Sequence, residues 1–311
     1  MKKSLLALAV LGAFAGAASA QSSVTLYGKL DLGFAKEAGK ADKQVRDGSS
    51  SRLGFRGVED LGGGLKAMFQ FEHRFNPDTG TVTNTAFWDG LSTVGLGGSF
   101  GTVNLGRQYT AAFSLATDVI DPFGGYTVAG LRGESLTTLI KSVARLRTDN
   151  SVRYDGAFGG LKVAADIAET PAGGVDRPYS VAAQYAAGPF MVAASYDNPT
   201  GANDNLATLG GSYTFGPAKV SLGIGRGDNN SNVRVKQALA GVTVSVGAAG
   251  QVLAGYAQEE VGTADATKKV SLGYRHNLSK RTQLYTDVTR VNDLLSKTEK
   301  TGYDFGVIHT F

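Results

Sequence analysis

"SVTLYGKLDLGF", residues 23–34, decides the fold. Val24, Leu26, Leu30, Leu32 and Phe34 fall on one face of an extended chain, and Thr25, Tyr27, Lys29 and Asp31 on the other. A period of two is the signature of a strand that separates an apolar surface from a polar one. The same rhythm returns in "RPYSVAAQYAAGPFMVAASYD", "LATLGGSYTFGPAKVSLGIG", "KKVSLGYRHNLSKRTQLYTDVT" and the last segment, "TGYDFGVIHTF". The three middle segments each read as two strands joined by a tight turn, at Gly188-Pro189, Gly216-Pro217 and Asn277-Leu278-Ser279.

Counted along the chain, the pattern gives about sixteen strands. Seven short turns fall near Gly62, Gly98, Gly159, Gly188, Gly216, Gly247 and Ser279. Eight longer connections alternate with them, near 35–49, 76–85, 110–148, 170–177, 198–204, 227–232, 260–265 and 292–299. Short turns at one end and long polar loops at the other, with an even strand number, describe an all-β, 16-stranded antiparallel transmembrane β-barrel. A soluble sandwich shares the alternation. The sustained turn-and-loop asymmetry, the apolar face running to Phe311 and the export signal favour the barrel.

That signal is the first twenty residues. Met1-Lys2-Lys3 is basic, Leu5 to Ala17 is apolar, and Ala18-Ser19-Ala20 is a small-residue cleavage site. This reads as a secretory signal peptide over 1–20, with a single barrel domain over 21–311. Without Lys2 and Lys3 the 31 basic residues become 29 against 27 acidic ones, and the net charge falls from +4 to +2. So small a surplus gives no case for a nucleic-acid partner. Gln237 to Gln258 carries no charge, yet Gly241, Gly247, Gly250 and Gly255 interrupt it and Val242, Val244 and Val246 alternate with Thr243 and Ser245. It reads as a hairpin and not as a transmembrane helix.

Catalysis finds little support. The chain has no Cys and only three His, His73, His276 and His309, all on the predicted lipid-side parity. Neither an activated nucleophile nor a metal spacing is present, so no cofactor and no metal are expected. Arg226-Gly227-Asp228 invites an adhesin, and a barrel hydrolase or adhesin is the alternative reading. In an Asn- and Gly-rich loop the tripeptide carries little weight. "GIGRG" is not followed by a helix pattern, and "DNNSN" lacks Ca²⁺-loop spacing.

One stretch breaks the rhythm: "TDVIDPFGGYTVAG", residues 117–130, inside a connection of nearly forty residues. Connections of that length in compact domains usually serve a function. Sixteen strands about 4.8 Å apart and tilted by about 40° enclose a cylinder about 32 Å across. Only this connection is long enough to cross such a lumen and return. It reads as a constriction loop over 111–148, with Phe123 and Ile120 pinning it to the wall. A loop covering the mouth is the competing reading.

Several of these motifs together are recognisable. "SRLGFRGVEDLGGGLKAMFQFE" (51–72), "FGTVNLGRQYT" (100–110), "DPFGG" (121–125) and the terminal Phe311 resemble the Gram-negative general-diffusion porins, of the β-proteobacterial type. The resemblance implies a homotrimer in the outer membrane, whose third loop folds inward. It implies a passive channel for small hydrophilic solutes and ions. Lipid and lipopolysaccharide would surround it, and the outer-membrane assembly machinery would read Phe311.

Parity places Lys29, Arg52, Arg56, Arg74, Arg153 and Arg275 inward, since Arg or Lys on the lipid face costs about 2–4 kcal/mol at the midplane. The resemblance assigns the basic constriction wall to Lys29, Arg52 and Arg107, with Arg147 or Arg153 as a further member. It assigns the facing loop acids to Asp118 and Asp121. Arg56, Arg74 and Arg275 are further lumen-facing positions. Simple alternation sets Arg107 beside Val103 and Leu105 on the apolar face, so either a bulge or the strand's end intervenes there or the assignment of Arg107 fails. The loop carries Asp118, Asp121 and Glu134 against Arg132, Lys141, Arg145 and Arg147. With the basic wall added, a mild anion preference follows.

Overall fold

The computed structural model describes residues 23–131, 145–200, 202–263, 267–293 and 298–311. Sixteen staves form one closed antiparallel barrel. They are β1 (Ser23–Lys36), β2 (Lys43–Asp47 and Arg52–Gly62, broken by a short turn), β3 (Leu65–Asn76), β4 (Leu91–Gly98), β5 (Gly101–Tyr109) and β6 (Arg147–Phe158). Then come β7 (Leu161–Ala168), β8 (Tyr179–Ala187), β9 (Phe190–Asn198), β10 (Asn205–Phe215) and β11 (Ala218–Asp228). The last five are β12 (Arg234–Val246), β13 (Gly250–Val261), β14 (Thr267–Asn277), β15 (Thr282–Asp293) and β16 (Thr298–Thr310). A two-residue strand, Thr81–Val82, pairs with the top of β3.

Closure is made by β1 against β16, from Lys29 opposite Thr310 to Lys36 opposite Tyr303. Phe311 extends it: its N–H donates to the Gly28 carbonyl at 3.1 Å, and the Gly28 N–H donates back at 3.0 Å. No edge is left to template further pairing. The seven tight turns fall where the turn signals placed them, and Gly62, Gly159, Gly188, Gly216 and Gly247 there have φ between 54° and 85°. That left-handed backbone is cheap only for glycine.

The period of two becomes a division between outside and inside. Val24, Leu26, Phe55, Leu222, Ile224, Leu272 and Phe305 point outward and stay exposed. Asp31, Glu72, Arg74, Asp166, Asp197, Asp287 and Asp304 point inward and are buried. The inversion relative to a soluble protein is what a lipid exterior and a polar interior require. His73, His276 and His309 lie on the outward parity, beside Phe87, Tyr274 and Thr282 respectively.

The described part of the long connection lies within the barrel and hugs the wall, where a crossing of the lumen was expected. Its base is tied by the Thr110 N–H to the Leu146 carbonyl and by the Thr110 hydroxyl to the Arg145 carbonyl. A short π-helical turn, Phe113–Thr117, packs along β7 to β10. From there the chain follows the inner face to β16 and reaches β1. The physical reason is a row of inward glycines. An added Cβ at Gly210 (β10), Gly241 (β12) and Gly255 (β13) would come within 2.5–2.6 Å of Ile120, Pro122 and Leu131. Gly223 (β11) also lies under Ile120, and Gly273 (β14) lies under Phe123. Ile120 and Phe123 are the pins expected from the sequence, and both are buried. Arg132, Glu134 and Lys141, and the leader over 1–20, lie outside the described residues.

Candidate functional site: a lumen with one covered and one bare wall

The described part of the loop covers the inner face from β7 round to β16 and leaves most of β2 to β6 bare. Its far end is fastened by three main-chain contacts. The Val128 N–H donates to Asp304 Oδ2 at 2.8 Å, and the Thr127 N–H to the Gly48 carbonyl at 2.9 Å. Lys269 Nζ donates to the Gly130 carbonyl at 2.6 Å. Tyr126, at the tip, lies under Lys29, whose ammonium is 4.6 Å from the ring centroid.

The bare wall is basic. Arg74 reaches Glu72 and also donates to the Tyr109 hydroxyl at 2.8 Å. Arg147 donates to the same oxygen at 2.9 Å and stacks 4.5 Å over the Tyr109 ring. Tyr109 in turn stacks on Phe113 of the loop, with centroids 5.0 Å apart. One phenol therefore fixes two guanidinium groups whose like charges would otherwise drive them apart. Arg107 joins them. The register of β5 against β6 slips between Gly106 and Gln108, and Gly106 takes φ 119°. Of the alternatives that simple alternation left open for Arg107, this bulge is the one present. It turns Arg107 to the lumen rim, where it bonds the Asp89 carbonyl at 2.7 Å and the Asp149 carboxylate at 2.5 Å.

These arginines line a cavity of about 1110 Å³. Among the described residues, seven basic side chains border it: Lys40, Arg46, Arg74, Arg107, Arg145, Arg147 and Lys269. Four acidic ones do: Glu37, Asp47, Asp78 and Asp89. Arg46 was hidden by reading 35–49 as loop. The alternation of Gln44 and Arg46 with the exposed Val45 was the available signal. Tyr109 carried no charge and drew no notice.

Other predicted positions serve different ends. Lys29 and Arg52 face inward but bond the carbonyls of the turn between the two halves of β2. Lys29 Nζ donates to the Ser49 carbonyl, and Arg52 Nε to that of Ser50 at 3.2 Å. Ser50 has φ 60°, a left-handed conformation that aims these carbonyls at the cations. Arg153 is a correction: it is 8% exposed, pairs with Asp155, and bonds the Tyr109 carbonyl and the Ser114 hydroxyl. It anchors the root of the loop and does not line the cavity. Arg275 is likewise inward but buried, clamped on Asp287 at 2.7 and 3.0 Å beneath Phe123. Arg56 is exposed over the Tyr27 ring, 5.4 Å from its centroid.

The loop acids are the larger correction. Asp121 is 6% exposed, and its Oδ1 accepts the Phe123 N–H at 2.9 Å. Its carboxylate closes the Asp-Pro-Phe turn instead of facing the lumen, as short Asp side chains do in turns. Asp118 caps the π-helical turn through its own N–H, which donates to the Phe113 carbonyl, and neither acid borders the large cavity.

Known proteins share this arrangement. The Gram-negative porin family model matches residues 7–294. Outer membrane porin protein 32 of Delftia acidovorans is 36% identical over 313 residues, covering 92% of this chain and 88% of its own. The solved anion-selective porin from Comamonas acidovorans superposes with a TM-score of 0.76 at 28% identity, over 94% of this chain and 100% of its own. OmpT of Vibrio cholerae, solved in a trimer form, gives 0.71 at 16% identity, over 93% and 99%, and speaks for the fold alone. A closed barrel with a greasy exterior, a charged lumen and a loop folded within it joins these likenesses: the chain belongs to the Gram-negative porins and is a diffusion channel of the outer membrane.

Proposed function

We propose that this porin passes small hydrophilic solutes with a preference for anions. The observation that carries the reading is the charge around the large cavity, which seven basic and four acidic side chains border among the described residues. A like-signed group of charges biases which ions enter a wet pore without binding them tightly. The name of the Comamonas relative, an anion-selective porin, supports the sign. The constriction lies between Tyr126 of the loop on one side and Arg74, Arg107 and Arg147, with Tyr109 stacked on Phe113, on the other. The loop's contribution is bulk, and the wall's is charge.

The protein works as a homotrimer, as its likeness to the general-diffusion porins implies. Lipid and lipopolysaccharide surround it, and the assembly machinery reads Phe311, whose ring is half-exposed at the barrel's end. No catalytic step belongs to this reading. The test is the reversal potential in a KCl gradient across a planar bilayer. Wild type should favour Cl⁻, and Arg107→Ala with Arg147→Ala should lower that preference. A pore that favours K⁺ refutes the sign.

A further inference from the structure

The loop acids were expected to set the selectivity field, yet among the described residues neither Asp118 nor Asp121 borders the large cavity. What it does is cover negative charge. Asp166 (β7), Asp197 (β9) and Asp304 (β16) all point inward, and they are 4%, 1% and 3% exposed. Each is capped by a main-chain N–H of the loop or its return: Ala111 to Asp166 at 2.6 Å, Arg145 to Asp197 at 2.6 Å, and Val128 to Asp304 at 2.8 Å. The Arg145 guanidinium closes over Asp197 at 2.8 Å and reaches Asp166 at 3.4 Å. Glu259 (β13), beside loop residues Ile120 and Leu131, bonds Gln237 and is also buried.

From this placement we infer that the third loop sets ion preference by masking wall carboxylates. Asp166, Asp197 and Asp304 are the specificity-determining residues so hidden. They are positioning groups in the native pore and would be repelling charges in an uncovered one. Buried acids whose oxygens accept amide N–H bonds are screened from the water path, whereas Arg46, Arg107 and Arg147 on the facing wall stay part-exposed. Seven basic against four acidic side chains border the large cavity among the described residues. Exposing three more acids would bring the two signs level. The glycine row explains how the mask lies flat, because Ile120, Pro122 and Leu131 seat directly on backbone. The inference rests on the channel reading above, and its test separates the two.

Leucine at Gly241 and Gly255 would occupy the seats of Pro122 and Leu131 and lift the loop. Gly241→Leu with Gly255→Leu, shown to be folded by heat-modifiable gel mobility, should lower the Cl⁻-to-K⁺ permeability ratio about threefold. Adding Asp166→Asn, Asp197→Asn and Asp304→Asn in that background should restore it. With the loop seated, Asp304→Asn should shift the ratio less than Asp78→Asn, whose carboxylate borders the cavity. If the lifted-loop protein does not fold, labelling decides. The chain has no Cys, so Asp304→Cys in the full chain can be reacted with a charged methanethiosulfonate. It should react at least tenfold more slowly than Asp78→Cys. Equal labelling rates, or a lifted loop that leaves the ratio unchanged, overturn the masking. A wild-type pore that favours K⁺ would instead refute the anion reading, while a fall in the ratio on lifting the loop would still support the mask.

Discussion

Tyr109 accepts hydrogen bonds from Arg74 and Arg147 with one oxygen. Two guanidinium groups held on one phenol keep their charges aimed at the lumen. Tyr109→Phe keeps the ring and the stack on Phe113 but removes the shared acceptor. We expect the anion preference to fall, by less than in Arg147→Ala, with conductance little changed. For Arg147→Ala itself, a charge about 8 Å from a passing ion is worth about 0.5 kcal/mol in water, which is about twofold in the permeability ratio. Both are read from reversal potentials, and the effect should shrink as salt rises because screening shortens the field. At Arg275 the logic is different. Its clamp on Asp287 is buried under Phe123. Asp287→Ala leaves a buried cation without its partner and should cost about 3–5 kcal/mol, visible as a lower urea midpoint of vesicle-inserted protein.

The loop is the element that gives the barrel a bore. Its hold on the wall combines side chains seated on glycine with main-chain N–H groups seated on carboxylates. Ile120→Ala removes the side chain that covers Gly210 and Gly223. Truncating a buried Ile typically costs about 2–5 kcal/mol, but the barrel strands do not depend on this contact. The expected outcome is a folded, heat-modifiable protein whose single-channel current is noisier than wild type. A quiet trace of unchanged conductance would show that Ile120 does not hold the loop. The bulge in β5 is the second element that matters. Gly106 takes φ 119° there, and an added Cβ would run into the Ser92 carbonyl. Gly106→Val should strain the bulge and turn Arg107 away from the rim, so it should mimic Arg107→Ala in ion preference while also lowering stability.

The whole molecule is a cylinder whose two surfaces meet different solvents. Leu222 lies at the middle of β11, 59% exposed on the outer face. Leu222→Arg should cost about 2–4 kcal/mol in a bilayer, because a cation at the midplane loses its water. Gln44, on the inner face of β2, borders the large cavity instead, and Gln44→Arg should cost little. Unfolding of both Arg variants from lipid vesicles tests the assignment of the two faces. Equal costs would contradict a lipid exterior.

Sequence alone determined the strands, their number, the sidedness of each and the seven tight turns. These depend on a local period of two and on glycines whose backbone angles no other residue adopts cheaply. It also marked 110–148 as the connection that breaks the pattern, and Ile120 and Phe123 as its pins. Only the tertiary structure decided what the charges do. Arg107 and Arg147 border the lumen part-exposed, and Arg74 borders it while buried against Glu72, whereas Arg153 and Arg275 are buried in ion pairs away from the large cavity. Asp121 turns back on its own loop, and Arg46 emerges from a segment read as irregular. Parity fixes which side of a sheet a charge takes. Whether that charge meets water or a partner depends on what lies across the lumen, and that is set by closure of the barrel and the path of one loop along its wall.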